Sequence, residues 1–356
     1  MNDNIIILIP ALNPDDRLIS YVNELIDVGF SKIVVVNDGS TKNTDIFKKL
    51  SLNCKILTHA VNMGKGRALK TGINYILNHY STDEIVGIIT ADSDGQHCVK
   101  DTLEVANQLK CGHQVVLGCR NFTGSDVPFK SKFGNNLTMY LFAFLYGKRI
   151  SDTQTGLRGL SYDILRECLT YTGERYEYEM HMLIETVTTD KDIVEVPIET
   201  IYYDGNKESH FSVVKDSIRI YKVLLARGIK YILSSLCGFV VDIVLFTVIA
   251  TALLPILSVS KAILISTVGA RVASAVTNYV INRNVVFKGG DRILQSGFRY
   301  FILVIVQLLC SWILVTFLYA NIKWNATILK VIVDTCLFFV SYKIQHRWIF
   351  FQKRDN

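Results

Sequence analysis

The sequence predicts an α/β domain with an open, mostly parallel sheet, followed by an all-α domain of four transmembrane helices. Short β-branched runs alternate with helical periods over about the first 210 residues, and long apolar runs begin near Gly228. Hydrophobic residues make up 50% of the 356 residues, and the mean hydropathy of +0.28 is high for a soluble protein. A chain of this length accommodates two domains, which fits the change of character along it.

Five β-branched runs predict the strands of the first domain, because buried parallel strands are short and continuously apolar. Helical segments lie between them; in the first, residues 16–29, apolar side chains recur on one face and Gly29 ends the helix. This alternation implies a sheet whose ligands bind beyond the carboxyl ends of the strands. The predicted strands cover 5–12, 32–38, 55–60, 84–92 and 114–119.

The fourth predicted strand ends in an unusual way. The stretch "VGIITADSDGQH" (86–97) runs from apolar residues straight into Asp92 and Asp94. Two carboxylates one residue apart at the end of a buried strand disfavour each other's charge unless a cation meets them. Asn13 and Asp38 fall at the same end of the sheet, so the sequence predicts a polar, cation-dependent site there.

The segment "NMGKGRALKTG" (62–72) is rich in glycine but fits neither common phosphate-binding signature. Leu69 breaks the G-x-G-x-x-G pattern, and the spacing of a P-loop is missing. A glycine-rich turn that enters a helix with Lys65 and Arg67 still suits an anionic ligand. A plain helix-initiating turn is the alternative for this segment taken alone.

Five segments taken together are more specific than any of them alone. "IPALN", "VVNDGS", "NMGKGRALKTG", "ADSDGQH" and "DTQTGLRG" occur in this order, and the set resembles family 2 glycosyltransferases of the GT-A fold, in their dolichyl-phosphate-mannose-synthase-like branch. The resemblance covers roughly residues 4–225 and implies a Rossmann-like GT-A catalytic domain over 1–211. It also implies that Asp92 and Asp94 form a DXD motif that holds Mg²⁺ or Mn²⁺ against the donor diphosphate, with Gln96 completing the metal shell.

The resemblance also assigns roles by position. Arg120 and Arg158 join Asp92 and Asp94 as catalytic residues, although a structural ion pair is an alternative for Arg158. The family usually has Glu where Pro14 stands, which leaves the ribose contacts at that turn open. The implied donor contacts are Pro10, Ala11, Asn13, Asp38, Gly64, Lys65, Asp92, Ser209 and His210. The implied acceptor-phosphate contacts are Arg120, Lys130 and Lys132. A solvated loop is the alternative for the two lysines.

The implied reaction is an inverting transfer of a hexose from a nucleotide sugar to polyprenyl phosphate, with UDP-glucose and undecaprenyl phosphate favoured. A phosphate monoester is already anionic near neutral pH, so no general base is required. Three alternatives stay open. They are a GDP-mannose-dependent mannose synthase, a polysaccharide-extending synthase, and a lipid-sugar flippase or scaffold with a non-catalytic GT-A domain. The intact Asp92, Asp94 and Gln96 speak against the last, and "QHRW" (345–348) lacks the Q-x-x-R-W spacing typical of the synthases.

The second half predicts a membrane domain over 229–352. Residues 212–228 predict an interfacial helix, with Lys215, Arg219 and Lys222 along one face. An ordinary surface helix is the alternative for that segment, and buried helices of a soluble domain are the alternative for the apolar runs. The predicted spans cover about 229–255, 262–282, 300–320 and 326–343, each near the ~20 residues that cross a bilayer.

Charge places the chain in the cell membrane with the catalytic domain and both termini in the cytoplasm. Basic residues concentrate between spans two and three and after span four, as the positive-inside rule requires for cytoplasmic loops. The net charge of +6 indicates a membrane surface rather than nucleic acid, since no basic block with interleaved aromatics occurs. We expect no signal peptide, because Pro10 interrupts a short apolar run without a basic start. Eight cysteines without C-x-x-C spacing predict reduced thiols.

The membrane half contains an internal repeat. "NYVINRNVVF" (278–287) and "SYKIQHRWIF" (341–350) match without gaps, and "KYIL" (230–233) matches "RYFI" (299–302). The layout resembles the GtrA-like membrane family over about 228–352, which implies handling of polyprenyl-phosphate-linked sugars and is compatible with a homo-oligomer.

Three charged residues fall inside the predicted spans. Asp242 lies in span one, Arg271 in span two and Asp334 in span four. A lone charge at the centre of a bilayer costs about 2.5–3.5 kcal/mol on insertion scales. We therefore expect Arg271, as the central base, to meet Asp242, Asp334 or a lipid phosphate.

Overall fold

The computed structural model describes residues 2–122, 129–199, 213–287, 289, 293–322 and 324–350. Side chains at 129–131, 213–214 and 326–327 lie outside that description. The chain divides into two compact units, unit 1 over Met1–Leu224 and unit 2 over Leu225–Asn356. The boundary falls inside the interfacial segment that the sequence predicts between 211 and 229.

Unit 1 is built on one seven-stranded sheet. The strand order is β3-β2-β1-β4-β6-β5-β7, in which β6 runs antiparallel to both of its neighbours and the other pairs are parallel. All five predicted strands are confirmed, whereas β6 and β7 have no counterpart in the prediction. The strands are β1 Ile5–Ala11, β2 Lys32–Asn37, β3 Lys55–Thr58, β4 Gly87–Thr90, β5 Val115–Arg120, β6 Arg158–Ser161 and β7 Ile193–Ile198.

Helices cover the sheet of unit 1 and shield its central strands from solvent. Every residue of β1 is buried, and Leu18, Val22 and Leu25 of the first helix pack on that side of the core. Burial of one such side chain contributes about 1.5–3 kcal/mol, so this layer fixes the strand ends on which the polar residues sit. The helices are α1 Arg17–Asp27, α2 Asp45–Leu50, α3 Lys65–His79, α4 Val99–Lys110, α5 Phe129–Tyr146, α6 Leu165–Thr170 and α7 Glu177–Thr188.

The helices that follow are long and apolar. Helix α8 (Val213–Leu253) is continuous, so the predicted interfacial helix and span one form a single helix. Within the part of the chain that the structure describes, three helical stretches are long and apolar enough to cross a membrane: Lys215–Leu253, Val259–Val286 and Ile293–Ile322. The fourth predicted span forms a helix of 19 residues with Lys330 and Asp334 in it, and its crossing stays a prediction. The remaining helices are α9 Val259–Ile281, α10 Ile293–Ile322 and α11 Ala326–Ile344.

Candidate functional site

A cavity of about 350 Å³ opens at the carboxyl ends of β1, β2 and β4. Parallel neighbours β2, β1 and β4 all end at this edge, which brings together side chains distant in sequence. The predicted residues in its wall are Pro10, Ala11, Asp38, Gly64, Lys65, Asp92, Asp94, Gln96 and Arg120. The wall also holds Glu179, Arg175 and Tyr176 near the start of α7, and Thr153 and Gln154 before β6.

The cation that meets Asp92 within the chain is Lys65. Its Nζ lies 2.6 Å from Asp92 Oδ1 and 2.9 Å from Glu179 Oε2. Burial alone would lower the pKa of Lys65, but the two carboxylates outweigh it and hold that pKa above its usual range. Burial would likewise raise the pKa of Asp92, yet Lys65 and His97 hold it below its ordinary value. Lys65 and Asp92 are therefore an ion pair on the cavity wall.

Asp94 lies in a different environment from Asp92. Burial, and then the charge of Asp92, raise the pKa of Asp94, and its Oδ1 accepts the backbone N–H of Gln96 at 3.1 Å. A second cation between Asp92 and Asp94 would offset both the cost of burying the charge of Asp94 and its repulsion by Asp92. Oxygen ligands of this kind suit Mg²⁺ or Mn²⁺, and Mg²⁺ is usually bound by one or two carboxylates plus substrate phosphates. The residues present fit such an ion, and no group of three His, Cys, Asp or Glu side chains among the described residues forms a complete metal cage.

Gly156 explains why the "TGLRG" segment stands opposite the carboxylates. A Cβ at Gly156 would lie 2.0 Å from Asp92 Oδ2, so only glycine leaves room for that carboxylate. Thr90 of β4 donates its hydroxyl to the Gly156 carbonyl at 3.0 Å, which fixes the approach. The segment therefore packs against the Asp92 carboxylate at Gly156 and limits where that carboxylate can lie.

Arg158 lies inside the domain and outside the cavity wall. Its side chain is 2% exposed, and its guanidinium donates to the carbonyls of Thr155 and Glu179 at 2.9 and 2.8 Å. These bonds tie the loop before β6 to α7. In this conformation the guanidinium donates to backbone carbonyls, so the described residues show no ion pair of Arg158, and its catalytic role stays a prediction.

Asp38 shapes the glycine-rich turn in addition to lining the cavity. Its carboxylate accepts the backbone N–H groups of Met63 and Gly64 at 2.9 and 2.8 Å and contacts His59 Nδ1 at 2.8 Å. Gly64 has φ +103°, and a Cβ there would lie 2.5 Å from the Glu174 carbonyl. Asp38 and Gly64 together set the start of α3, and with it the position of Lys65.

Asn13 lies outside the cavity wall. Its side-chain oxygen accepts the backbone N–H groups of Thr41 and Lys42 at 2.8 and 2.9 Å, and its own N–H donates to Ser40. These bonds hold the loop after β2, and the donor contact of Asn13 stays a prediction.

Arg120 is held on the cavity wall by a buried carboxylate. Its Nε and Nη2 donate to the two oxygens of Asp152 at 2.6 and 3.1 Å, and Asp152 is fully buried. Bidentate pairing of this kind fixes the plane of the guanidinium. Asp152 therefore orients Arg120, and the only sign of this pairing in the sequence is the acid that begins "DTQTGLRG".

The remaining predicted contacts are either absent from the cavity wall or outside the described residues. Lys132 of α5 is partly exposed and does not line the cavity. Ser209 and His210, and the side chain of Lys130, lie outside the described residues. Glu179 was missed, since no motif marks an acid in the helical "EYEMHML" run; only its position beside Lys65 reveals it.

Two intramembrane charges meet as predicted and a third does not. Arg271 Nη2 lies 3.5 Å from Asp242 Oδ2, which confirms that pair. Asp334 pairs with Lys330 at 3.0 Å on its own helix and accepts from Ser311 at 2.5 Å. Lys330, one turn before Asp334 on the same helix, supplies a base for that carboxylate that the prediction did not include.

Two protein-family models match the chain. The model described as glycosyl transferase family 2 matches residues 6–169, and the model described as the GtrA/DPMS transmembrane domain matches residues 230–350. The matches fall on the two parts that the sequence separates.

The chain is also similar to individual proteins. A UDP-N-acetylglucosamine–dolichyl-phosphate N-acetylglucosaminyltransferase of Methanococcus voltae is 28% identical over 249 residues, which cover 64% of this chain and 98% of the relative. A dolichyl-phosphate beta-glucosyltransferase of Dictyostelium discoideum is 29% identical over 244 residues, covering 60% and 72%. The solved structure of glucosyl-3-phosphoglycerate synthase from Mycobacterium tuberculosis with Mn²⁺, UDP and phosphoglyceric acid aligns with a TM-score of 0.47 and 20% identity over 63% of this chain and 78% of that one.

Proposed function

We propose that the chain transfers a hexose from a nucleotide sugar to a polyprenyl phosphate, as its matches to the glycosyl transferase family 2 model over residues 6–169 and to the GtrA/DPMS transmembrane model over residues 230–350 suggest. The observation that carries the proposal is the cavity wall on which Asp92 and Asp94 stand with Arg120. Carboxylates suit a metal-bound diphosphate, and a guanidinium suits a phosphate nucleophile. Relatives named as dolichyl-phosphate glycosyltransferases support the acceptor class.

The chemistry of the acceptor accounts for the small catalytic apparatus. A phosphate monoester oxygen is already anionic and needs no base to attack the anomeric carbon, so the residues have to position and neutralise. Asp92, Asp94 and Gln96 would hold Mg²⁺ or Mn²⁺, which when bound supplies positive charge to the leaving diphosphate. Arg120, aimed by Asp152, would hold the acceptor phosphate for an inverting attack.

The membrane helices fit a lipid acceptor. Each buried methylene of a lipid chain contributes roughly 0.8 kcal/mol, so a polyprenyl phosphate stays in the bilayer and its enzyme has to meet it there. We propose a cell-membrane location with the catalytic unit and both termini in the cytoplasm, where nucleotide sugars are found. UDP-glucose and undecaprenyl phosphate are the proposed substrates, and GDP-mannose is the alternative donor.

A donor–acceptor matrix tests this proposal. The full chain in detergent is incubated with radiolabelled UDP-glucose, UDP-N-acetylglucosamine or GDP-mannose, each with undecaprenyl phosphate, dolichyl phosphate or no lipid, and with Mn²⁺ or Mg²⁺. We expect label in the organic phase with one donor and only when a lipid phosphate is present. Absence of lipid-linked label with every donor, from protein that still binds nucleotide, would favour the scaffold or flippase alternative.

A further inference from the structure

His97, at the end of the "ADSDGQH" segment, is a buried residue to which the function proposed above gives no role. Its side chain is 8% exposed. Its ring nitrogens Nδ1 and Nε2 are both buried, and neither has a hydrogen-bond partner among the residues that the structure describes. The large majority of buried polar side-chain atoms in proteins have such a partner. A buried ring with two unpartnered nitrogens therefore requires a physical explanation.

The chain turns at Gly95, just before this residue. Gly95 has φ +75°, and Gln96 donates its backbone N–H to Asp94 Oδ1 at 3.1 Å. Gln96 belongs to the cavity wall, whereas His97 is absent from it and buried. The turn thus directs two neighbouring side chains to different places, the amide to the cavity and the imidazole to the interior.

The carboxylate of Asp92 faces the imidazole of His97. Nε2 lies 3.6 Å from Asp92 Oδ2, which is too long for a hydrogen bond and too short to admit a water molecule between the two atoms. A hydrogen bond between a ring N–H and an oxygen is about 2.7–3.2 Å long, so a movement of under about 1 Å would form one. The imidazole with its proton on Nε2 is thus a donor poised beside this carboxylate.

The two oxygens of Asp92 have different surroundings. Oδ1 contacts Lys65 Nζ at 2.6 Å on the cavity wall. Oδ2 has His97 beside it and the backbone of Gly156 close by, where a Cβ would lie 2.0 Å from it. The missing Cβ leaves the carboxylate the space it needs to approach the ring. One oxygen therefore serves the cavity, and the other can be held from the interior.

We propose that His97 is a positioning residue, whose Nε2–H donates to Asp92 Oδ2 and so orients this carboxylate for a divalent cation in the cavity. The inference rests on the metal-dependent function proposed above and adds to it a residue outside the cavity wall. A neutral imidazole is sufficient for this role. Groups that hold a metal-binding side chain in place typically contribute about 10–100-fold to metal affinity.

Two substitutions of His97 separate the ring's N–H from its shape. His97→Phe keeps a planar ring and removes both nitrogens, whereas His97→Gln loses the ring and keeps an amide N–H donor on a side chain of similar length. Each variant is prepared as the full chain in detergent and titrated calorimetrically with Mn²⁺, with and without UDP. The melting temperature without metal shows whether each variant folds.

We expect His97→Phe to weaken Mn²⁺ binding at least about tenfold and His97→Gln to stay within about threefold of the wild type. His113→Phe is the matched control, because the half-buried His113 contacts Asp192 at 2.5 Å and does not belong to the cavity wall. Its Mn²⁺ affinity should equal that of the wild type. If His97→Phe does not fold, His97→Leu takes its place with the same expectation.

The inference is overturned if the apolar variant binds Mn²⁺ as the wild type does. It is equally overturned if His97→Gln is impaired as much as the apolar variant, because the shape of the ring would then matter rather than its N–H. The titration requires neither a donor sugar nor a lipid. A wild type that binds Mn²⁺ but forms no lipid-linked product refutes the proposed function alone, whereas equal Mn²⁺ affinities of wild type and variants refute only the role of His97.

Discussion

Lys65 Nζ lies 2.6 Å from Asp92 Oδ1, so the first carboxylate of the predicted DXD motif is already neutralised by a residue of the chain itself. Glu179 holds the same ammonium from the other side at 2.9 Å. A metal ion that binds Asp92 would share this carboxylate with Lys65. The glycine-rich turn therefore sets the charge of the metal site as well as the shape of the cavity.

Lys65→Met should tighten binding of Mn²⁺ to the nucleotide-free protein by at least about tenfold while reducing transfer. A unit charge about 4 Å away contributes roughly 4 kcal/mol at an effective dielectric constant of 20, so removing this one leaves the carboxylates more attractive to a divalent ion. Calorimetric titration with Mn²⁺ measures the effect. Lys70→Met is the control, since Lys70 lies on the same helix but pairs with Glu174. Unchanged Mn²⁺ affinity in Lys65→Met would mean that the ion does not use Asp92.

Gly156→Ala should lower kcat at least about a hundredfold, because the new Cβ would lie 2.0 Å from Asp92 Oδ2 and displace that carboxylate. Misplacement of a reacting group by about 1 Å costs on the order of a hundredfold. Gly134→Ala is the control, since a Cβ at Gly134 has nothing within 4 Å. Steady-state transfer assays compare the two, and equal activities would show that Asp92 tolerates displacement.

Arg120→Gln should raise KM for polyprenyl phosphate at least about tenfold and leave KM for the nucleotide sugar within about twofold, as expected for loss of a contact to one substrate. It should also destabilise unit 1 by about 3–5 kcal/mol, because it leaves the buried carboxylate of Asp152 without its cationic partner. Adding Asp152→Asn should restore thermal stability but not acceptor affinity. A change confined to the donor KM would place Arg120 on the opposite side of the reaction.

The buried thiol of Cys119 and the half-buried thiol of Cys54 should react slowly and with a steep pH dependence. Burial raises the pKa of Cys119 to about 12 and that of Cys54 to about 11. The thiolate is the reactive form, so at pH 8 about one Cys54 in a thousand is reactive, and each pH unit up to the pKa should increase labelling tenfold. Iodoacetamide labelling followed by mass spectrometry should modify the exposed Cys111 first. Labelling of Cys119 at the rate of Cys111 would contradict its burial.

Much of the fold follows from apolar patterning. Strand β1 is apolar throughout, which predicts a strand buried on both faces, and every one of its residues is buried. Strand β6, "RGLS", escaped prediction because its four residues include Gly159 and the buried Arg158, and pairing with two neighbours stabilises it despite low propensity. Strand β7 ends near Pro197, which reads as an interruption in sequence but lies at the sheet edge, where proline is tolerated.

The site was predictable where a residue acts through a motif and not where it acts through a tertiary partner. Asp92, Asp94 and Lys65 lie on the cavity wall as predicted. Glu179 acts through its pair with Lys65, and Asp152 acts through its pair with Arg120. The partners in both pairs are far apart in the chain, and nothing in the local sequence marks them. Asn13 and Arg158 resemble site residues in sequence, but the side-chain oxygen of Asn13 and the guanidinium of Arg158 bond to backbone groups.

Transfer of a sugar to a lipid phosphate should depend on a metal ion held by Asp94, and Asp94→Asn removes that charged ligand. The full chain and the variant are incubated with the preferred radiolabelled nucleotide sugar, undecaprenyl phosphate and Mn²⁺, and lipid-linked label is counted; Asp83→Asn, an exposed residue outside the cavity, is the control. We expect full activity for the wild type and for Asp83→Asn, and a loss of at least about a thousandfold in Asp94→Asn, which corresponds to about 4 kcal/mol of transition-state stabilisation. Wild-type activity should also be lost reversibly in EDTA. Undiminished transfer by Asp94→Asn, or by the wild type in EDTA, would contradict the metal-dependent mechanism.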